Sequence, residues 1–267
     1  MVLPAPLGPT VAGPVLETRD LTIRFGGHVA VNAVSCAFAA GTLTAIVGPN
    51  GAGKTTYFNL ISGQLPASAG EVLLRGKSLL GMPPSARTRA GLGRAFQLTN
   101  LFPNLSVAEN VRLAVQARAG VGLDLWSVWS ARSELKAKAD AILERVALAT
   151  KRDAVAASLP HGDQRKLEVG MLLALEPEVF MFDEPTAGMS VDEVPVILDL
   201  IRGIKQDKTK TVLLVEHKMD VVRELADRII VLHNGTLMAD GEPEAVIASP
   251  IVQEAYLGMA PVAEAAA

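Results

Sequence analysis

The spacing of apolar positions changes along the chain, and each change predicts a different kind of structure. In the N-terminal part, the segments LETRDLTIRF, VSCAFAA and EVLLRGKSL alternate apolar and polar residues, which is the period of half-buried strands. In VSCAFAA this alternation places Val34, Cys36 and Phe38 on one strand face. We therefore expect a β layer in this part of the chain.

The pattern becomes helical between about Ser106 and Leu159. The segments SVAENVRLAVQARA and SELKAKADAILERVAL are rich in alanine, leucine and charged residues. Ser106 is followed three residues later by Glu109, a pair that commonly begins a helix. This stretch is predicted to be a helical insertion.

The last part of the chain returns to strands. The apolar runs VFMF and TVLLV, with helical segments between them, are typical of a parallel sheet covered on both faces. In IIVLHNGTLMADG, the pair Asn234-Gly235 predicts a two-residue hairpin turn. The predicted fold class is α/β, with a mixed and parallel sheet, an antiparallel β layer and an inserted helical subdomain. The predicted parts are a flexible arm at 1–14, a core at 15–97 and 160–258, a helical subdomain at 98–159 and a flexible tail at 259–267.

Composition narrows the functional classes. The chain has 267 residues, of which 49% are hydrophobic and 20% charged, as in a folded globular protein. A net charge of −3 gives no general attraction to nucleic acid, and none is expected as a partner. The single cysteine, Cys36, excludes an internal disulfide and agrees with a reducing compartment. No apolar run approaches the roughly 18 residues of a membrane-spanning helix, so we expect the chain not to cross a bilayer.

The clearest chemical motif lies in LTAIVGPNGAGKTT. An apolar strand, Leu43 to Val47, leads into a match to G-x-x-x-x-G-K-[ST], after which a helix is expected. The glycines let backbone N–H groups converge on phosphates, Lys54 neutralises the terminal phosphates, and the Thr55 hydroxyl can coordinate Mg²⁺. The predicted residues of this phosphate-binding loop are Gly48, Pro49, Asn50, Gly51, Ala52, Gly53, Lys54, Thr55 and Thr56.

A second acidic motif follows the apolar run VFMF. Asp183 ends this strand and fits a role in the metal shell, because a phosphate loop needs a carboxylate to hold its metal ion. Glu184 comes next, where it could take a proton from a water that attacks the γ-phosphate. Without the phosphate loop, this pair would indicate no more than a capped or solvated strand end.

Taken in order, these motifs resemble those of the ATP-binding subunits of ABC transporters, and the resemblance covers about residues 15–258. It implies that the nucleotide is ATP, that Phe25 stacks on the adenine, and that His217 in LLVEH contacts the γ-phosphate. It also implies that Gln97 in GRAFQ lies near Mg²⁺ and the attacking water. The expected catalytic residues are Glu184, His217 and Gln97, and the expected metal-site residues are Thr55, Gln97 and Asp183.

The segment LPHGDQ lies where this family carries a signature loop resembling Leu-Ser-Gly-Gly-Gln. Pro160 and His161 replace its serine and first glycine. By resemblance, the loop faces the ATP held by a second cassette, and its residues are Leu159, Pro160, His161, Gly162 and Asp163. The proline is open to two interpretations: a harmless start of a helix, or a weak signature that makes an asymmetric pair of cassettes.

Other short motifs resemble one branch of the family. Ser190 stands where an aspartate is common, and FGG, AGM and YLG recur in the branch that takes up hydrophobic amino acids and related small amides. This resemblance implies an ATPase that powers uptake of branched-chain or other hydrophobic amino acids. Urea, short amides and aromatic acids remain alternative cargoes.

The resemblance also implies partners and a location. Two cassettes would enclose two ATP molecules and drive two transmembrane permease subunits. An extracytoplasmic solute-binding protein would deliver the cargo to the permease. The second cassette would be a paralogue or a second copy, and the chain would lie peripherally on the cytoplasmic face of the inner membrane. Phe102, Pro103 and Leu105 would line a groove for a permease helix, whereas Trp126 and Trp129 are expected to pack inside the helical insertion.

Two other functional classes are weaker. Soluble ABC-type ATPases of the ribosomal kind resemble two cassettes in one chain, and the DNA-repair kind carries a long coiled coil, whereas this sequence has one phosphate loop and no sustained heptads. A GTPase would need a guanine-reading Asn-Lys-x-Asp motif, which is not present.

Overall fold

The computed structural model describes residues 13–95, 101–120 and 128–257, with the backbone alone for residues 128–132 and 255–257. Its strands are β1 (Leu16–Phe25), β2 (His28–Phe38), β3 (Leu43–Val47), β4 (Ala69–Leu74), β5 (Lys77–Ser78), β6 (Leu92–Ala95), β7 (Val179–Asp183), β8 (Thr211–Val215), β9 (Arg228–His233) and β10 (Thr236–Gly241). Its α-helices are α1 (Lys54–Ser62), α2 (Pro84–Ala90), α3 (Val107–Ala119), α4 (Val128–Arg145), α5 (His161–Ala174), α6 (Val194–Gln206), α7 (Met219–Leu225), α8 (Pro243–Ile247) and α9 (Pro250–Leu257).

The chain forms two compact units. Unit 1 comprises Met1–Pro84 and Lys208–Ala267, and unit 2 comprises Ser85–Asp207. The predicted helical subdomain, residues 98–159, lies within unit 2, which also contains β6, β7, α5 and α6. Its proposed boundaries stay a prediction.

Unit 1 contains the predicted antiparallel β layer. Its strands pair in the order β2-β1-β4-β5. Val34, Cys36 and Phe38 are all buried, whereas the residues between them are more exposed. The alternating pattern therefore predicted correctly which face of β2 packs inward.

Unit 1 also contains a parallel sheet in which β3 lies between β8 and β9, with β10 antiparallel to β9. Every residue of β3 and β8 is buried, which explains their continuous apolar sequences. Asn234 (φ 47°) and Gly235 (φ 75°) form the predicted tight turn between β9 and β10, with the two positive φ angles that a type I′ turn requires. A core of valine and isoleucine from β9 and the C-terminal helices packs on β3.

In unit 2, β6 pairs in parallel with β7. The predicted helix start is confirmed, since Glu109 N–H donates to Ser106 Oγ at 3.1 Å and α3 begins at the next residue after Ser106. Helix α3 packs against α4 and α5. Over residues 13–95, 101–120 and 128–257, none of the helices has the length and apolar content needed to cross a bilayer.

Candidate nucleotide site

The predicted phosphate loop connects β3 to α1 in unit 1. At Gly48, an added Cβ would lie 2.1 Å from the Leu232 carbonyl oxygen, so no larger residue fits there. At Gly53, φ is 95° and an added Cβ would lie 2.6 Å from the Ala30 carbonyl oxygen. Gly53 is also the N-cap of α1 and has no side chain with which to cap the helix. The start of α1 therefore has no capping side chain, which suits a helix N-terminus that binds phosphate.

Lys54 is held inside this loop. The residue is 6% exposed, and its Nζ donates hydrogen bonds to the carbonyl oxygens of Gly48 at 2.7 Å and Pro49 at 3.0 Å. The loop therefore holds a buried positive charge beside the N-terminus of α1, where the helix dipole also favours an anion. Thr55 and Thr56 follow in the first turn of α1 and are half-buried.

His217 lies at the same edge of the sheet as the phosphate loop. Strands β3 and β8 are parallel neighbours, with Ile46 opposite Val215, and both segments continue beyond their carboxyl ends. His217 is half-buried, and its backbone N–H donates to the carboxylate of the buried Glu216 at 2.8 Å. The role of His217 at the terminal phosphate stays a prediction.

Phe25 ends β1 at a hairpin in unit 1. It pairs with His28 across the turn, and 49% of the residue is exposed. An exposed aromatic ring offers a flat apolar face for stacking, as the predicted contact with adenine requires.

Asp183 is the last residue of β7 in unit 2 and is completely buried. Its Oδ2 accepts a hydrogen bond from Arg94 Nη2 at 2.8 Å. Burial raises the pKa of Asp183, although the Arg94 guanidinium acts in the opposite direction. Among the described residues, its other oxygen, Oδ1, has no hydrogen-bond partner.

This second oxygen provides a test of whether the site fits Mg²⁺. A buried polar atom without a partner costs about 1–3 kcal/mol, and more when it carries charge. A hydrated Mg²⁺ ion binds through one or two carboxylates and nucleotide phosphates, and its waters would satisfy this oxygen. The donor set at Asp183 therefore fits the metal.

Glu184 has an unusual backbone conformation. Its φ of 49° lies in the left-handed region, which costs a residue other than glycine about 1–3 kcal/mol. Arg165 of α5 holds this backbone, because its Nη2 donates to the carbonyl oxygens of Asp183 and Glu184, each at 3.1 Å. Arg165 is itself paired with Glu168 at 2.8 Å. The strained backbone is thus fixed from the adjacent helix.

The signature segment begins α5. Pro160 is exposed and is the N-cap residue of α5, and its carbonyl oxygen accepts a hydrogen bond from the Gln164 N–H at 3.0 Å. His161 is exposed, whereas Leu159, Gly162 and Asp163 are buried. Lys151 and Lys166 both bind the Asp163 carboxylate. Burial acts to raise the pKa of Asp163, but the two lysines outweigh it, so the pKa is lowered.

This loop contacts the segment that contains Ser190. An added Cβ at Gly162 would lie 2.1 Å from Glu193 Oε1, and one at Gly188 would lie 3.3 Å from the His161 ring. Glu193 Oε2 also accepts hydrogen bonds from the Ser190 N–H at 3.1 Å and hydroxyl at 2.9 Å. The two glycines therefore allow the signature segment to lie directly against its neighbour.

Some predicted residues cannot be placed. Gln97 and Trp126 lie outside the described residues, and so does Gly258. Trp129 lies in α4, but its side chain is outside the described part. By contrast, Arg94 and Arg165 contact the acidic motif, although the sequence analysis did not select them. For Arg165, the sequence feature that could have indicated a role is its position directly after Gln164, with Glu168 one helical turn later.

Comparison with known proteins identifies the family of the chain. The ABC transporter family model matches residues 31–187. The high-affinity branched-chain amino acid transport ATP-binding protein LivG of Escherichia coli strain K12 is 38% identical over 252 residues, covering 92% of this chain and 99% of the relative. BraF of Pseudomonas aeruginosa, which has the same descriptive name, is 36% identical over 253 residues, covering 92% and 99%.

A solved structure supports the fold. The crystal structure of the ADP conformation of an ATP-binding cassette of an ABC transporter is 30% identical, with a TM-score of 0.77, and covers 92% of this chain and 99% of that one. These likenesses confirm the predicted fold class, a P-loop ABC ATPase core. The chain therefore belongs to the ABC transporter family, as an ATP-binding cassette that hydrolyses ATP.

Proposed function

We propose that this cassette powers an importer of branched-chain or other hydrophobic amino acids. The observation that carries the proposal is the 38% identity to LivG, which extends over 92% of this chain and 99% of the relative. The short motifs FGG, AGM and YLG in this sequence point to the same branch. The cargo-binding pocket would belong to other subunits, so the cassette supplies the energy and not the selectivity.

In the proposed site, the phosphate loop binds the ATP phosphates. The N-terminal amides of α1 and the Lys54 ammonium bind the terminal phosphates, and the Phe25 ring stacks on the adenine. Thr55, Asp183 and Gln97 would hold Mg²⁺, which when bound offsets the negative charge of the terminal phosphates. Asp183 would do so through Oδ1, because Oδ2 is bound by Arg94.

Hydrolysis is assigned to Glu184, with help from His217 and Gln97. The Glu184 carboxylate would accept the proton of the attacking water, Gln97 would orient that water, and His217 would contact the γ-phosphate. The left-handed backbone of Glu184, bound by Arg165, supports a fixed position for this carboxylate. Fixing a catalytic group in advance removes a cost that would otherwise be added to the barrier.

A second cassette would complete each ATP site. In this arrangement the signature loop at the start of α5 faces the ATP of the partner cassette. Pro160 provides neither a hydroxyl nor an N–H, but the amides of Gly162 and Asp163 lie in the unsatisfied first turn of α5. We favour a paralogous partner over a second copy of this chain. If that partner has an intact signature and Pro160 weakens the one in this chain, Glu184→Gln in this chain should lower hydrolysis more than the matching change in the partner. Equal losses would leave Pro160 as the start of a helix.

The permease would bind unit 2. An apolar cavity of about 420 Å³ in this unit is lined in part by Phe102, which is 49% exposed. Leu105 is also exposed, at 36%. A cytoplasmic helix of a permease fits such a groove as an amphipathic helix fits an apolar cleft. The chain would then lie peripherally on the cytoplasmic face of the inner membrane. The residues that line the cavity are Arg94, Ala95, Phe102, Leu113, Ala114, Ala117, Glu168, Met171, Leu172 and Leu175.

Co-purification tests this proposal. The tagged chain, expressed in its natural host, should isolate two permease subunits and a second cassette, and the associated binding protein should bind leucine, isoleucine or valine. Phe102→Asp should reduce permease recovery without changing ATP binding by the isolated chain. If the binding protein binds urea, short amides or aromatic acids instead, the proposed cargo is wrong. Recovery of ribosomes without a permease would contradict the transport role.

A further inference from the structure

The ion pair between Arg94 and Asp183 is almost completely buried. The exposed fractions of the two side chains are 6% and 0%, and Arg94 Nη2 lies 2.8 Å from Asp183 Oδ2. The partners are 89 positions apart in the sequence and come from the adjacent parallel strands β6 and β7. Arg94 is opposite Met181, two residues before Asp183, so the two charged side chains share one face of the sheet.

Stability alone does not account for a buried pair of this kind. The cost of removing both charges from water is of the same order as their attraction, and an apolar pair of equal size would often serve as well. What the pair does fix is the orientation of the carboxylate. With Oδ2 bound to a guanidinium that does not lose its proton, the two oxygens of Asp183 are no longer equivalent.

The second oxygen shows what this orientation provides. Oδ1 is buried, and within the described part of the chain it has no hydrogen-bond partner. It is therefore the oxygen that is available to a metal ion or to a metal-bound water. Removing a group that orients a metal ligand in this way commonly lowers the affinity for the metal.

Resting on the metal role proposed for Asp183, we infer that Arg94 is a positioning residue for Mg²⁺: it holds Oδ2 so that Oδ1 faces the metal. Arg94 would touch neither nucleotide nor metal and would act through Asp183. Its removal should therefore change the metal dependence of nucleotide binding and leave metal-free binding unaltered.

The experiment measures binding of a fluorescent ATP analogue to the full-length chain, in EDTA and then during titration with MgCl₂. For Arg94→Met, we expect unchanged binding in EDTA and a roughly 10–100-fold increase in the Mg²⁺ concentration that gives the half-maximal metal effect. Arg94→Lys, which keeps one charged donor, should lie between this variant and the wild type. Arg87→Met removes another buried arginine of the same unit and should leave the Mg²⁺ titration unchanged.

Two further variants identify the path of the effect. Asp183→Asn should remove the metal dependence, and Arg94→Met added to it should cause no further change, because Arg94 acts through that carboxylate. An unaltered Mg²⁺ titration in Arg94→Met, with no more than a lower melting temperature, would make the pair purely structural and overturn the inference. A greater loss of metal-dependent nucleotide binding in the double variant than in Asp183→Asn alone would overturn it as well.

If Asp183→Asn itself kept the full metal dependence, the proposed metal site at Asp183 would be wrong. That result is distinct from a failure of the role inferred for Arg94. Should Arg94→Met not fold, Arg94→Lys and its titration decide the question.

Discussion

Replacing Arg165 with methionine tests how the backbone of Glu184 is held. Arg165 donates to the carbonyl oxygens of Asp183 and Glu184, and its Nη1 binds Glu168 at 2.8 Å. The side chains of Arg165 and Glu168 are 7% and 6% exposed. The methionine side chain fills much of the same volume, but it leaves the Glu168 charge without this partner and the two carbonyl oxygens without this donor.

The expected loss of stability follows from this burial. Removing one partner of a buried ion pair costs about 3–5 kcal/mol, because the remaining charge stays buried. At about 2–4 °C per kcal/mol for a chain of this size class, the melting temperature should fall by roughly 6–20 °C. Arg202→Met is the matched control, since Arg202 pairs with Asp199 at the same spacing on an exposed helix face. An exposed pair contributes about 0–1 kcal/mol, so this control should melt close to the wild type.

A double variant separates stability from catalysis. Arg165→Met with Glu168→Leu removes both charges, so the melting temperature should recover most of the loss. ATP hydrolysis in the assembled transporter should stay low, because the Glu184 backbone still lacks its donor. Calorimetry gives the first quantity and phosphate release the second. A wild-type melting temperature in Arg165→Met, or recovery of hydrolysis together with stability in the double variant, would mean that Arg165 does not hold the backbone of Glu184.

Gly53→Ala should weaken ATP binding in a fluorescence titration, since its Cβ would lie 2.6 Å from the Ala30 carbonyl oxygen; unchanged binding would mean that the loop adapts. Pro160→Ser adds a capping hydroxyl to α5 and should raise the free energy of unfolding by about 1 kcal/mol in a urea titration, and a loss of stability would contradict its N-cap assignment. Asp163→Asn should destabilise the chain at neutral pH. Because its two lysine partners lower the pKa of Asp163 below the usual 3.8, the ionised form contributes stability above that value, and this contribution disappears as the pH falls through the lower folded pKa. Urea titrations at pH 7 and pH 3 should therefore show a smaller difference between Asp163→Asn and the wild type in acid, and an equal difference would exclude this ion pair as the cause.

The sequence predicted those parts of the fold that depend on local patterns. The strand before the phosphate loop, the buried face of β2 and the turn at Asn234-Gly235 each follow from period or turn chemistry within a few residues. The helix start at Ser106 was predicted for the same reason. Each of these features is determined by neighbours in the sequence, so no knowledge of tertiary contacts was needed.

The features that the sequence did not predict depend on contacts between distant segments. Arg94 and Asp183 are 89 positions apart, and Arg165 reaches Glu184 over 19 positions. The positive φ of Glu184 has no sequence signal either, because glutamate rarely adopts it and tertiary hydrogen bonds hold it there.

Reconstitution of the whole transporter would show whether this cassette couples ATP hydrolysis to amino-acid uptake. The cassette, its partner cassette and the permease subunits would be placed in liposomes with the binding protein, and phosphate release would be measured with and without leucine. We predict hydrolysis that leucine-loaded binding protein stimulates and that Glu184→Gln in this chain largely removes, while ATP binding persists. Hydrolysis by the isolated chain that already equals that of the complex would mean that the chain does not need partner subunits, and full activity in Glu184→Gln would mean that Glu184 is not the catalytic base.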